Sequence, residues 1–287
     1  IVEFNNINIE IQKTPLVKNP VHHYSILNSS NGKIGYLMYN QFVSNYDQYL
    51  ESIFSEYKSN SVNELILDLR YNPGGSINSA LILASLITGQ FENDIFNTEE
   101  WNTEIQNYWI NNNPEYLVNR FLSLESSLNL NRVFILTTRS SASASELIIN
   151  CLDPYIDVIQ IGTTTYGKYQ ASVTLYDSEN FSNQNINPSH NYAIQPLVLK
   201  TLNVLGITDY FNGINPEYDF EEKVYNMGII GDLNEPMLNF AMGLINSRAE
   251  INIQPETLEF VDDNFKFDFL KREMYIENKE ITIKDGN

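Results

Sequence analysis

Hydrophobic periodicity divides the chain from Lys33 onward into alternating strands and helices. The run KIGYLMY (33–39) is short and apolar and predicts a buried strand. Tyr46, Tyr49, Leu50, Ile53, Phe54 and Tyr57 then recur at helical spacing, which predicts an amphipathic helix with one apolar face. ELILDLR (64–70) reads as a second strand, broken by the YNPGG that follows. INSALILASLITG (77–89) is apolar almost throughout, so it predicts a buried helix closed by Gly89. RVFILTT (132–138) predicts a third strand, residues 143–152 the helix after it, and DVIQIG (157–162) a fourth strand. This alternation argues for an α/β fold with parallel pairings and right-handed crossovers.

Residues 90–131 interrupt that rhythm. They carry both tryptophans, Trp101 and Trp109, and predict a helix over 115–128. The segment reads as an insertion packed over one sheet edge, either a structural flap or a substrate-contacting lid. ASVTLY (171–176) and NYAIQPLVLKTLN (191–203) predict the strands of a hairpin with a long loop, an additional β-rich subregion. NEPMLNFAMGLINSR (234–248) predicts a helix capped by Asn234. Residues 1–32 are polar and Asn-rich and read as edge strand and linker. Residues 249–287 are charged and weakly periodic and read as a tail.

Composition removes several function classes. With 17 basic against 36 acidic residues, the net charge of −19 repels a phosphate backbone, so no nucleic-acid partner is expected. No run of about 18 apolar residues exists to cross a membrane. No His/Cys/carboxylate cluster suggests a metal, and no glycine-rich loop has a phosphate-binding pattern, so neither metal nor cofactor is expected. The single Cys151 excludes an internal disulfide framework and reads as a core residue. The chain starts at Ile1 rather than Met, which reads as a processed or excised portion of something longer.

The candidate chemistry lies in SASASE (141–146), where a strand gives way to a helix. Three serines spaced by alanines admit two explanations. Small residues let a helix start close against a sheet; alternatively, one hydroxyl is a nucleophile. Ser143 sits where unpaired backbone N–H groups and the helix dipole meet. A serine there is placed to attack a carbonyl, with the Ala144 N–H stabilising the oxyanion. A second donor could come from Gly74 or Gly75 in NPGG (72–75), also between a strand end and a helix start.

A serine needs a base. His22, His23 and His190 lie in no recognisable triad context. Lys168 stands alone between Asp157 and Asp177, with no other charged residue in that stretch, in a turn between two predicted strands. An ordinary lysine titrates near 10.4, so about one in a thousand is neutral near pH 7.4, and burial must destabilise the ammonium by about 4 kcal/mol to change that. By these residues alone, Lys168 is either such a buried base or a surface lysine in a hairpin. Asp68 and Arg70 read as orienting the 72–75 loop or as an ion pair at a strand end.

SASASE followed by TYGK, with Lys168 25 residues after Ser143, resembles the catalytic core of the C-terminal processing (tail-specific) proteases, peptidase family S41. GKIGYLMYNQF resembles the family's first core strand, LILDLRYNPGG its strand and oxyanion loop, and NGINPEYDFEE an element near the core's end. The resemblance runs from about 33 to 248. It implies a crotonase-like/ClpP-like ββα core with a serine/lysine dyad: Ser143 as nucleophile, Lys168 as base, and Ala144 with Gly74 or Gly75 as oxyanion donors. Ser141 and Ser145 become small packing residues and Glu146 a helix-turn partner.

Family members often carry Gln four residues after the lysine and an acid eleven after the serine. Here those positions are Ser172 and Pro154, leaving Gln170 and Asp153 as candidate supports. The family's PDZ-like module normally precedes the core, and 32 residues before Lys33 are too few for it. The function implied is a serine endopeptidase acting on protein or peptide substrates in the periplasm or cell envelope, lipid-anchored or secreted. The alternatives are a catalytically idle relative that binds a peptide or apolar ligand, and an acyl-CoA enzyme of the crotonase type, for which this acidic chain offers no nucleotide pocket.

Overall fold

The computed structural model describes residues 18–246 and 273–276, together with the backbone of a short antiparallel hairpin, β1 (Val2–Phe4) with β2 (Ile7–Ile9). The predicted strands and helices of the α/β core form where the periodicity places them. Strand β3 (Val21–Ser29) turns back into β4 (Gly32–Tyr39), helix α1 spans Asp47–Ser59, and β5 (Val62–Asp68) leads through the 69–74 turn to β6 (Gly75–Ser76) and α2 (Ile77–Thr88). Gly89 follows α2 with φ at 76°, the positive value that lets glycine stop a helix.

The insertion differs from its sequence reading. It supplies β7 (Ile95–Trp101), α3 (Thr103–Asn112), a 3₁₀ turn over Pro114–Leu117 and β8 (Val118–Arg120), and no helix covers 115–128. Pro114 favours the start of a turn, and β-branched Val118 suits the strand that follows. The segment is not a flap over a sheet edge; it builds part of a sheet.

Strand β9 (Arg132–Thr137), α4 (Ala144–Leu152) and β10 (Asp157–Gly162) complete the first half. Next come β11 (Gln170–Val173) and β12 (Leu175–Tyr176), then β13 (Ala193–Ile194) and β14 (Leu197–Leu202), which pair antiparallel as the hairpin reading requires. After β15 (Tyr218–Asp219), helix α5 covers Pro236–Ile245. Its cap is Glu235 rather than Asn234: the Glu235 carboxylate accepts from the N–H groups of Met237 and Leu238. With Pro236 in the first turn, the cap moves one residue beyond the expected position. The tail contributes β16 (Met274–Ile276), which its weak periodicity did not signal.

Two six-stranded sheets result. The first has the order β15-β10-β9-β5-β4-β3, parallel throughout except for the β3–β4 edge pair. Alternation along its strands feeds two cores. Leu37, Tyr39, Leu65, Leu67 and Ile135 face α1, α2 and α4, whereas Ile34, Tyr36, Met38, Ile66 and Phe134 pack with Met237, Leu238 and Ala241 of α5. The second sheet, β6-β16-β11-β14-β7-β8, places β16 between the 75–76 strand and β11, parallel to both.

Candidate active site

The chain reverses sharply between β9 and α4, and the sharpness comes from Ser143, whose backbone sits at φ 64°, ψ −113°. A positive φ is rare for a residue with a Cβ and persists only where surroundings enforce it. Two neighbouring serines help to enforce it. Ser141 donates its hydroxyl to the Leu69 carbonyl at 2.7 Å and accepts from the Thr138 N–H. Ser145 donates to the Asn72 carbonyl at 3.0 Å, and the Ala142 N–H donates to that same carbonyl. Both hydroxyls thus stitch the turn to the 69–75 loop. The Ser143 hydroxyl sits over the Glu146 N–H in a capping box but makes no well-formed hydrogen bond among the described residues, although the residue is fully buried.

Glu146 joins this turn to the one that carries Lys168. One carboxylate oxygen accepts from the backbone N–H of Ser143 at 2.7 Å and of Lys168 at 2.8 Å; the other accepts from the Thr165 hydroxyl at 2.6 Å and the Gly167 N–H at 2.5 Å. The sequence reading gave Glu146 only a helix-turn role. That role exists, since Glu146 closes half of a capping box on Ser143. Its contacts 19 to 22 residues downstream are what sequence spacing alone does not reveal. Burial pushes the Glu146 carboxyl above the usual carboxylate range, while its four donors pull it back toward the ionised form.

Lys168 is half-buried, and burial lowers the pKa of its amine below the ordinary lysine value. The carboxylates of Glu273 and Glu146 act in the opposite direction. Gly167 has φ 101° and no room for a side chain, because a Cβ there would lie 2.3 Å from the Phe211 carbonyl oxygen. Lys168 therefore enters from a turn that only glycine can make.

The 69–75 loop is fixed from both sides. Asn72 donates its amide to the Tyr39 carbonyl at 2.8 Å and accepts the Gly74 N–H at 2.9 Å. The Phe42 N–H donates to the Gly74 carbonyl, and the Ser76 N–H to the Phe42 carbonyl. Of the two glycines expected to offer an oxyanion donor, Gly74 has its N–H engaged by Asn72, whereas Gly75 donates to the Glu273 carbonyl at 2.5 Å. Ala144 is the first residue of α4, so its N–H has no partner from an earlier helical turn.

Beneath the loop, Arg70 lies fully buried against three carboxylates: Asp68 at 2.7 Å, Glu222 at 2.8 Å and Glu235 at 2.9 Å. Tyr36 donates to Asp68, and Tyr71 to Glu222. The ion pair expected at this strand end is thus a network that ties the β5 end to α5. It accounts for residues 222 and 235, which sequence spacing did not connect to Arg70.

The remaining candidates lie elsewhere. Asp153 is exposed just past the C-terminal end of α4, nine residues and about 13 Å of helix rise from Ala144. Gln170 starts β11 with its backbone paired to Lys200. Ser172 donates its hydroxyl to the Met274 carbonyl at 3.2 Å. His22 and His23 sit on edge strand β3, and His190 contacts Asp177 in an exposed loop. Cys151 is fully buried, and its thiol pKa is pushed up by burial, as fits a core residue. Among the described residues no group of acidic, His or Cys side chains is arranged to hold a metal, and no helix is long and apolar enough to cross a membrane.

Known proteins resemble this chain in sequence and in fold. A Staphylococcus epidermidis protein assigned as a CtpA-like serine protease is 28% identical over 151 residues, 53% of this chain and 28% of that protein. The carboxyl-terminal-processing protease of a Picosynechococcus strain is 25% identical over 161 residues, 56% of this chain and 35% of the relative. The aligned part thus spans about a third or less of these relatives. Among solved structures, a Bacteroides fragilis protein assigned to the S41 proteases superimposes with a TM-score of 0.69 at 28% identity, covering 83% of this chain and 60% of that one. The photosystem II D1 C-terminal processing protease shares the fold at a TM-score of 0.53 and 18% identity, over 77% of this chain and 52% of the other. The family model for peptidase family S41 matches residues 33–187, more than half of the chain, and the chain belongs to that family.

Proposed function

We propose that this chain is a serine endopeptidase of the C-terminal processing type, with Ser143 as nucleophile and Lys168 as general base. The observation that carries the reading is the division of labour within SASAS. The hydroxyls of Ser141 and Ser145 are committed to backbone carbonyls, whereas that of Ser143 is buried, unpartnered and held at a strained turn. Leaving a buried hydroxyl unpaired costs about 1–3 kcal/mol, and of the three serines only Ser143 bears that cost, as a hydroxyl kept for reaction would.

The chemistry follows from the groups in place. Neutral Lys168 takes the Ser143 proton as Oγ bonds to the scissile carbonyl carbon. The carbonyl oxygen becomes an oxyanion, facing the Ala144 and Gly75 N–H groups and the positive end of α4. Protonated Lys168 then gives its proton to the departing amine, leaving an acyl ester on Ser143. Water, deprotonated by Lys168, attacks that ester and returns serine and a new carboxyl terminus. Glu146 holds the two turns in one register throughout.

The substrates proposed are proteins or peptides with an accessible extended segment. The location proposed is the periplasm or cell envelope, as the family resemblance suggests. The core proposed is the crotonase-like/ClpP-like ββα arrangement over 33–248. The test is hydrolysis of an unfolded protein such as reduced casein by the wild type, Ser143→Ala and Lys168→Ala. Both substitutions should abolish cleavage and leave the circular dichroism spectrum unchanged. Cleavage that survives Ser143→Ala overturns the assignment.

A further inference from the structure

Strand β16 joins two strands that lie about 100 and 200 residues before it in the sequence. It fills the slot between the 75–76 strand and β11, with Met274 opposite Gly75, Tyr275 opposite Ser76 and Ser172, and Ile276 opposite Val173. Its first contact is with the candidate site itself, since the Glu273 carbonyl accepts the Gly75 N–H at 2.5 Å. A Cβ at Gly74 would lie 2.4 Å from that carbonyl oxygen and 2.6 Å from the Ser143 Cβ. The Glu273 carbonyl oxygen and the Ser143 Cβ therefore both border the space beside Gly74. Further along, the Met274 carbonyl accepts the Ser172 hydroxyl, and the Met274 side chain is fully buried in the core that α2 and α4 share.

We propose that the slot between β6 and β11 receives an extended substrate segment, and that the chain's own Glu273–Ile276 occupies it as an internal competitor that must withdraw before cleavage. The inference rests on reading Ser143 as the nucleophile. Two features favour competition over simple sheet building. The backbone donor that would meet a substrate carbonyl is already engaged by a peptide carbonyl of this chain, and one N–H directed at one oxygen position cannot serve both. An extended peptide joining a sheet gains its affinity from such main-chain bonds, with alternate side chains entering pockets, which is how Met274 is held. The Glu273 carboxylate also favours the ammonium form of Lys168, the form that cannot accept a proton. The seated strand thus opposes both the oxyanion donor and the base.

A reversible lock tests this without loosening the fold. Val173 and Ile276 are partners in parallel strands and pack into the same core. Paired positions on adjacent strands fall within the Cα separation a disulfide spans. In Val173→Cys/Ile276→Cys, oxidation should fix β16 in the slot, and the buried Cys151 offers no competing thiol. Two readouts are needed. One is cleavage of reduced casein by the full chain. The other is binding of a fluorescent peptide KREMYIEN, the sequence of residues 271–278, to the same variant carrying Ser143→Ala. Oxidation should lower cleavage and peptide binding more than tenfold, and reductant should restore both. Equal values within twofold in the two redox states, or no peptide binding in the reduced state, would show β16 to be a fixed member of the sheet and overturn the proposal. If no variant ever cleaves casein but oxidation still blocks the peptide, the nucleophile assignment fails while the slot and its internal occupant stand.

Discussion

Replacing Glu146 by glutamine changes one atom type at the joint between the two turns. Each carboxylate oxygen accepts two donors: Ser143 and Lys168 N–H on one, the Thr165 hydroxyl and Gly167 N–H on the other. A glutamine NH₂ in either position points a donor at donors. The less costly rotamer turns it toward Thr165, whose hydroxyl already accepts from the Ile214 N–H, and strands the Gly167 N–H; the other rotamer strands the N–H groups of Ser143 and Lys168. A hydrogen bond to a charged acceptor contributes about 1.5–3 kcal/mol, and a stranded buried N–H costs about 1–3. The neutral amide avoids the penalty of burying a charge, which offsets part of the loss. The expected destabilisation is about 2 kcal/mol, small enough to leave a domain of ordinary stability folded.

The kinetic effect should be larger than the loss of stability. A displacement near 1 Å between nucleophile and base costs about 100-fold in rate, so kcat should fall by about that factor with KM little changed. Urea unfolding followed by circular dichroism gives the stability, and initial rates on reduced casein at a temperature where the variant is folded give the activity. Wild-type kcat in a Glu146→Gln protein destabilised by the expected amount would refute the role of this carboxylate in registering the two turns.

Other expectations follow from the same contacts. Ser143→Ala removes a buried, unpartnered hydroxyl, so it should raise stability by about 1 kcal/mol in urea unfolding while abolishing cleavage; a loss of stability would mean that the hydroxyl has a structural bond. For Lys168 the sign is set by its lowered pKa. The folded protein binds fewer protons than the unfolded chain between that lowered value and 10.5, so stability rises with pH across this window. Lys168→Met should flatten that rise and be more stable than wild type at neutral pH, measured by thermal unfolding as a function of pH. Arg70→Met leaves the Asp68 and Glu235 carboxylates buried without their cation and should cost about 3–5 kcal/mol, seen as a large drop in the urea midpoint; a loss under 1 kcal/mol would show the network to be dispensable.

The sequence showed most clearly what local patterns control. Strands β4, β5, β9 and β10 and helices α1, α2 and α4 formed where apolar period and glycine stops placed them, because each buries its own face. The insertion departs from its sequence reading because β7 pairs with β14, about a hundred residues downstream of Trp101 and outside any local window, and β8 forms on the free side of β7. The α5 cap moved from Asn234 to Glu235 because Glu235 is held by Arg70 as well as by the helix N-terminus. In the site, the candidate residues Ser143 and Lys168 were readable from motif and isolation, but their linkage through Glu146 depends on tertiary contacts. Strand β16 was invisible for a similar reason: EMYI has little period of its own, and the slot that orders it is made by residues 75–76 and 172–173.

The most direct measurement is the pH dependence of covalent labelling of the full chain by a fluorophosphonate, with the modified residue located by mass spectrometry. The label should appear on Ser143 and not on Ser141 or Ser145, whose hydroxyls are committed to backbone carbonyls. Its rate should rise with pH through one ionisation below the ordinary lysine value of 10.5, and Lys168→Ala should remove that ionisation along with most of the rate. A label on Ser141 or Ser145, or a Ser143 label whose rate and pH profile are the same in Lys168→Ala as in the wild type, would contradict a serine activated by this lysine.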